Sequence, residues 1–136
     1  MAAPARTITI VVNDASDASI TLNYGQLTGG DWEDNTQPVP GTTISPGQNT
    51  FVNGADNAFE SLGGLILLTP ASGGTITVTW SWPRGSGVTG TTTGNSLNGL
   101  AVTSSVINTQ SMNPQMQVYI TDSASLAATF GAASTK

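Results

Sequence analysis

Hydrophobic and polar residues alternate along several short segments of this chain, which is the pattern of strands with one buried face. The clearest segment covers residues 75–82, where isoleucine, valine and two tryptophans occupy every second position and threonine or serine the positions between. Pro83 has no N–H for a further ladder bond, so this strand should end there. Further strands are predicted at 7–13, 20–27, 42–44, 49–53, 62–69, 100–108 and 116–121.

The segments between these strands are rich in Gly, Pro, Asn, Asp and Ser, and none has the period of an amphipathic helix. About eight or nine strands with turn residues between them are typical of an antiparallel sandwich. We therefore predict an all-β, single-domain antiparallel β-sandwich over residues 1–136, with its core at about 6–122. The Gly- and Thr-rich segment 85–96 is predicted to be a loop, and 123–136 could be a short helix, an edge strand or a frayed tail.

The composition excludes most catalytic chemistry. The chain has no histidine and no cysteine, and its only cations are Arg6, Arg84 and Lys136. Nucleophiles activated by imidazole and zinc sites built from Cys or His cannot be assembled. A net charge of −5 opposes nucleic-acid binding, which depends on Lys and Arg. The sequence predicts a non-enzymatic binding protein with no cofactor, no metal and no nucleic-acid partner.

The chain shows no targeting or membrane-spanning segment by sequence. Residues 1–6 lack the apolar region of a signal peptide, and the longest apolar run, 65–68, is far shorter than the roughly 20 residues that cross a bilayer. We expect a soluble protein, either cytoplasmic or secreted without a visible signal peptide.

Several motifs occur together in a recognisable order. They are an Ile/Val-rich first strand ending at Asn13, Trp32 after Leu-x-Gly-Gly, Gly41-x-x-Ile44-x-Pro46-Gly47, Gly54, Glu60, and Trp80-x-x-Pro83-x-Gly85-Ser86. Over roughly residues 6–122 this set resembles the aegerolysin family, small acidic proteins of fungi and bacteria. The resemblance implies an actinoporin-like sandwich that binds sphingolipid-containing membranes peripherally. It also implies cytolytic, haemolytic or insecticidal outcomes in some members, often with a larger perforin-like pore-forming partner.

The resemblance also implies a lipid head-group site. Trp32 matches a lipid-facing tryptophan and Glu60 the carboxylate that contacts the head group. Arg84 stands where the family has a second tryptophan, and Arg pairs with phosphate through its planar fork. The leading hypothesis gives apolar contact to Trp32 and Trp82, the lipid ammonium to Glu60 and the phosphate to Arg84. Ordinary core packing of Trp82, a solvated Glu60 and an Arg84 that anchors a loop carboxylate remain open alternatives.

Two other functions fit the same residues. A sandwich lectin would stack a sugar on tryptophan and bond its hydroxyls with Asn53, Asp56 and Asn57 near Glu60. A self-associating structural protein would exploit a chain with only 8% charged residues, because charge is what usually blocks edge-to-edge strand pairing. The sequence leaves both open as alternatives to lipid binding.

Overall fold

The alternating segments form the strands of a β-sandwich. The computed structural model describes residues 6–16, 19–33, 36–44, 47–56 and 59–122. Within these ranges the strands are β1 (Arg6–Asp14), β2 (Ile20–Gly29), β3 (Asp31–Trp32), β4 (Thr43–Ile44), β5 (Gly47–Ala55), β6 (Leu62–Pro70), β7 (Thr75–Trp82), β8 (Thr89–Asn95), β9 (Leu100–Ile107) and β10 (Gln115–Asp122).

The strands divide into two five-stranded sheets. The first sheet has the order β3-β5-β1-β10-β9 and the second the order β4-β2-β6-β7-β8. Neighbouring strands are antiparallel except for β1 and β10, which pair in parallel. The predicted all-β sandwich is therefore confirmed, and the parallel pair is an addition that the strand pattern did not predict.

The core lies between the inward faces of the two sheets. On each central strand every second residue is buried, as the alternation requires. The largest fully buried side chains come from both sheets, so each sheet covers the apolar face of the other. They include Ile8, Ile10 and Val12 of β1, Ile66 and Leu68 of β6, Ile76 and Val78 of β7, and Met116, Val118 and Ile120 of β10.

The prediction of a loop over 85–96 is wrong for most of that segment, which forms β8. Its inward positions include Gly90 and Gly94, so the segment carries almost no hydrophobic signal. A Cβ at Gly90 would lie 2.7 Å from the sulfur of Met116, and one at Gly94 would lie 2.5 Å from Leu97. A larger residue at either position would require Met116 or Leu97 to shift, because this edge strand lies directly against those side chains.

The short and terminal segments remain. The two-residue strand β3 was not predicted, because so short a segment shows no alternation. Residues 45–46, which include Pro46 of the motif named above, and the predicted tail 123–136 lie outside the described residues. Nowhere in the described ranges does a helix reach the length and hydrophobicity that a bilayer crossing needs.

Candidate functional site

The predicted site residues all lie at one end of the sandwich, here called the loop end, where the connections after β5, β7 and β9 meet. Strand β1 begins there, because Arg6 pairs with Ala55 at the end of β5. In the second sheet, Leu62 at the start of β6 pairs with Trp82 at the end of β7. The strand ends thus bring together segments that are distant in the chain.

A buried amide joins the two sheets just below the loop end. The side chain of Asn53 is 0% exposed, and its nitrogen donates to the carbonyl oxygens of Gly29 at 2.9 Å and Asp31 at 3.3 Å. Its oxygen accepts from the backbone N–H of Gly63 and from Nε1 of Trp80, both at 3.0 Å. A buried amide that uses both its nitrogen and its oxygen holds its neighbours in one arrangement.

This amide positions two of the tryptophans. Trp80 is 4% exposed, and the partly buried ring of Trp32 packs edge-on against it, with centroids 6.0 Å apart and planes at 63°. Gly64 makes room for Trp80, since a Cβ there would lie 2.6 Å from the indole. Trp32, predicted as a lipid contact, therefore has part of its ring at the surface and part in a fixed aromatic pair.

The third tryptophan lies beneath an arginine. The guanidinium carbon of Arg6 is 3.6 Å from the ring centroid of Trp82, a close cation–π contact. Nη1 of Arg6 also donates to the backbone carbonyl of Glu60 at 2.8 Å. Arg6 is only 3% exposed, and this burial lowers the pKa of its guanidinium. Arg6 thereby links the buried ring of Trp82 to the backbone of the loop that carries Glu60.

Arg84 lies on the opposite side of the same loop. Its backbone N–H donates to Oγ of Ser61 at 3.0 Å, and its guanidinium carbon is 5.2 Å from the ring centroid of Phe59. Among the described residues, no carboxylate forms an ion pair with Arg84 and no cation pairs with the carboxylate of Glu60. The alternative in which Arg84 anchors a loop carboxylate is therefore not observed in the described part of the chain.

Exposed apolar side chains lie at the same end of the sandwich as these charges. Phe59 is 68% exposed, Met112 46% and Ile107 43%. All three belong to the loop end, because Ile107 ends β9 opposite the first residue of β10 and the carbonyl of Met112 accepts from the N–H of Thr7 at 3.1 Å. The loop end thus combines apolar surface with the exposed cation Arg84 and with the carboxylates of Glu60 and Asp56.

The structure brings together three of the four predicted residues. Glu60, Trp82 and Arg84 are connected through Arg6 and Ser61, whereas Trp32 lies beyond the buried Asn53. Trp82 is only 8% exposed because it is part of the core and Arg6 covers its face, so a direct lipid contact by its ring stays a prediction.

Sequence reasoning missed Phe59 and Arg6 as members of the site. Phe59 directly precedes Glu60 in a predicted loop, where a large apolar residue is itself a signal of an interaction surface. Arg6 is one of only three cations in the chain, and it begins the first strand. A single cation directly before the predicted strand 7–13 suggests a specific contact for that charge. The sequence does not show that the contacts of Arg6 are Trp82 and the carbonyl of Glu60.

The loop end offers little to a metal ion or to the predicted sugar contacts. Within the described ranges, no three acidic side chains lie close enough together to hold a metal. Asn53 is fully buried with its amide already bonded, so its predicted role as a sugar partner is wrong. Asn57, the other predicted amide partner, lies outside the described residues, and Asp56 is exposed.

Comparison with known proteins identifies the fold. No family model and no curated protein matches the sequence. The structure is similar to IP-1A from Alcaligenes faecalis, with a TM-score of 0.67 and 16% identity over 88% of this chain and 93% of that one. It is also similar to the lipid-binding protein Nakanori, with a TM-score of 0.69 and 13% identity over 87% of this chain and 72% of that one.

A third similar structure is the lectin XCL from Xerocomus chrysenteron, with a TM-score of 0.53 and 11% identity over 85% of this chain and 98% of that one. At these identities the likeness concerns the fold alone. Membership of the aegerolysin family stays a prediction from the motifs. The chain shares its β-sandwich fold with three proteins: IP-1A, the lipid-binding protein Nakanori and the lectin XCL.

Proposed function

We propose that this protein is a non-enzymatic binder of membrane lipids that recognises a zwitterionic sphingolipid head group at the loop end. The observation that carries the proposal is the combination of the exposed Phe59 ring with Glu60 and Arg84, whose charged groups have no ionic partner among the described residues. Opposite charges placed side by side on an apolar surface complement a head group that carries both a phosphate and an ammonium.

The charges define how the head group would bind. Arg84 would donate to the phosphate oxygens, because a guanidinium forms short, charge-assisted hydrogen bonds with them. Glu60 would accept from the ammonium of an ethanolamine head group or lie against that of a choline. The net charge of −5 opposes attraction to anionic lipids, so the protein should prefer neutral or zwitterionic surfaces.

The apolar side chains supply attachment. Transfer of a phenyl ring such as that of Phe59 from water to an apolar environment stabilises by about 1.5–3 kcal/mol when complete. Met112 and Ile107 would add to this at the same end of the sandwich. Attachment of this kind needs no basic patch, which the chain lacks.

The tryptophans act mainly as supports in this proposal. Trp82 forms the surface on which Arg6 lies, and Arg6 in turn fixes the backbone of Glu60. Trp32 would contribute its exposed edge to the lipid while Trp80 holds the ring in place. All four predicted residues thus keep a role in the proposal: Glu60 and Arg84 bind the head group, Trp32 belongs to the surrounding surface and Trp82 supports Arg6 from below.

The choice of sphingolipid, a cytolytic role and a perforin-like partner come from the aegerolysin resemblance. Similarity of the fold to a lipid-binding protein supports the lipid class in general terms. Membrane lysis, alone or with a partner, is a separate step that dye release from vesicles would measure.

Vesicle sedimentation tests the proposal. Vesicles of phosphatidylcholine and cholesterol, with and without sphingomyelin or ceramide phosphoethanolamine, are mixed with the protein, and the bound fraction is measured. We expect stronger binding when sphingolipid is present. This preference rests on the aegerolysin resemblance, because phosphatidylcholine and sphingomyelin carry the same phosphocholine head group. Equal binding to every composition, or none to any, would contradict the proposal.

Paired variants separate specific recognition from general adhesion. Glu60→Gln and Arg84→Gln should each weaken binding roughly 10-fold or more, because each removes a charge-assisted contact. Asp56→Asn makes the same charge change as Glu60→Gln in the same loop and should bind as the parent protein does. Phe59→Ala should weaken attachment, whereas Tyr119→Ala removes an exposed aromatic ring from β10 and should not. If the controls lose as much binding as the site variants, head-group recognition is wrong.

A further inference from the structure

A second concave site lies away from the loop end, at an edge of the sandwich where strands of both sheets and a loop meet. It is a pocket of about 160 Å³ between β4 and β2 of the second sheet and β5 of the first. The connection 36–42, here called the bridging loop, covers one side of it. The pocket is lined by Leu22, Gln37, Val39, Thr42, Ile44, Asn49, Thr50 and Phe51.

The bridging loop is fixed to both sheets. The hydroxyl of Thr36 accepts from the backbone N–H of Val52 in the first sheet at 2.8 Å. At the other end, Gly41 N–H donates to the carbonyl of Leu22, and Leu22 N–H to that of Thr42, both at 2.8 Å. These bonds join the loop to β5 on one side and to β2 on the other. The wall of the pocket is therefore held in place without a ligand.

The middle of the bridging loop is anchored as well. Pro38 is buried against Gly25 of β2, so closely that a Cβ at Gly25 would lie 2.4 Å from the proline ring. Gln37 and Val39 flank this proline and line the pocket. A preformed pocket does not require a loop to become ordered on binding, which lowers the cost of association.

The lining has a consistent chemical character. Leu22, Ile44 and Phe51 are buried apolar side chains, and Val39 is 59% exposed at the pocket. The other four lining residues are polar and uncharged: Gln37, Thr42, Asn49 and Thr50. Within the described ranges, none of these four side chains has a hydrogen-bond partner. The described lining therefore presents amide and hydroxyl groups beside an apolar surface and includes no charged side chain.

We infer that this pocket binds a single neutral sugar ring, such as the terminal residue of a neutral glycan. Its volume is close to the roughly 150 Å³ of cavities that hold one six-membered ring, and below the size of pockets for drug-sized ligands. A sugar ring has apolar C–H faces, which would lie against Phe51 and Val39, and hydroxyl groups for the amides and threonines. An ionic ligand would find no opposite charge, and an acyl chain would leave the polar groups unsatisfied.

This sugar site is independent of the proposed lipid site. Asn49 and Phe51 lie on the same strand as Asn53 but outside its network of buried bonds. The inference also places sugar recognition elsewhere than the loop end, where the sequence had suggested it. Failure of one site would leave the other unaffected.

NMR titration of the ¹⁵N-labelled full chain tests the inference. The probes are the methyl glycosides of glucose, galactose, mannose, N-acetylglucosamine, N-acetylgalactosamine and fucose. We expect at least one to bind with a Kd on the order of 1–10 mM, as a ligand of this size permits. Its shifts should be confined to amides around the pocket, such as those of Val39, Thr42 and Asn49. Shifts at Ser61 and Arg84 instead, or no shifts with any glycoside, would overturn the inference.

Two pocket variants, one control variant and one competing ligand make the test specific. Val39→Trp fills the pocket mouth from an exposed position and should weaken sugar binding at least about tenfold, whereas Tyr119→Trp adds the same ring on β10 and should not. Thr50→Val removes one hydroxyl and should weaken binding severalfold. Cyclohexanol has the same ring size with one hydroxyl. If it binds as tightly as the best glycoside, or if Val39→Trp leaves sugar affinity unchanged, the pocket is not a sugar site.

Discussion

Two asparagines on β5, four positions apart, have opposite situations. Asn53 is fully buried, and its amide bonds to both sheets. Asn49 is half-buried at the pocket, and its side chain has no hydrogen-bond partner among the described residues. The same residue type on the same strand is thus structural in one place and available to a ligand in the other.

The comparison shows what separates a structural polar group from a binding one in this sandwich. Near the loop end the sheets are close enough for one amide to join them, and its bonds hold Trp80 in the core. Near the pocket the sheets are bridged by a loop instead, and polar side chains keep their hydrogen-bonding capacity. The loop end thus lies over a buried layer that is fixed by hydrogen bonds, whereas the pocket is bounded by a loop that is fixed to both sheets.

The largest effect is expected for Asn53→Leu. This change leaves the N–H of Gly63, Nε1 of Trp80 and two backbone carbonyls without their buried partner, which should cost about 3–5 kcal/mol of unfolding free energy. Urea denaturation followed by circular dichroism measures it. A loss below about 1 kcal/mol would mean that the amide does not join the sheets as described.

A smaller effect is expected for Arg6→Met. The variant loses the cation–π contact with Trp82 and the hydrogen bond to the carbonyl of Glu60, and we expect a loss of about 1–3 kcal/mol. Uncovering the indole should also shift tryptophan emission to longer wavelength. Arg84→Met is the matched control at an exposed position and should change stability by no more than about 0.5 kcal/mol. Equal effects of the two variants would contradict the support role of Arg6.

Gly25→Ala tests the bridging loop. The added methyl group would meet the ring of Pro38, which cannot rotate away, so we expect a cost of about 1–2 kcal/mol from crowding. The shifted loop should also weaken glycoside binding in the NMR titration while vesicle binding stays unchanged. Gly87→Ala, at a position where a Cβ would meet nothing within 4 Å, is the control. Unchanged stability and sugar affinity would show that the loop is not anchored at Gly25.

The smallest effect on stability is expected for Asn49→Leu. No described residue bonds to this side chain, so the unfolding free energy should change by no more than about 0.5 kcal/mol. Sugar affinity should nevertheless fall, because one amide of the lining is lost. Measured beside Asn53→Leu, this variant makes the same chemical change on the same strand. Similar losses of stability in both would remove the distinction between the two asparagines.

Much of the architecture follows from the sequence, because alternation along a strand records which face is buried. Strands β1, β5, β6, β7 and β10 were predicted close to their observed bounds for this reason. Strand β8 was missed since its inward glycines carry no hydrophobic signal, although they lie in close contact with Met116 and Leu97. Trp82 and Arg84 lie beside residues 61–62 because β6 pairs with β7, a pairing that the strand pattern alone does not specify.

The sequence alone determined the fold class and, through the absence of histidine and cysteine, removed imidazole- and thiol-based catalysis. Only the tertiary structure decided which polar groups are hydrogen-bonded in the interior and which are available to a ligand. Arg6 meets Trp82 and Asn53 meets Trp80 across long chain separations, and the pocket exists only where two sheet edges and a loop converge. The local sequence pattern indicates whether each residue is buried. Which residue distant in sequence it contacts depends on how the two sheets pack.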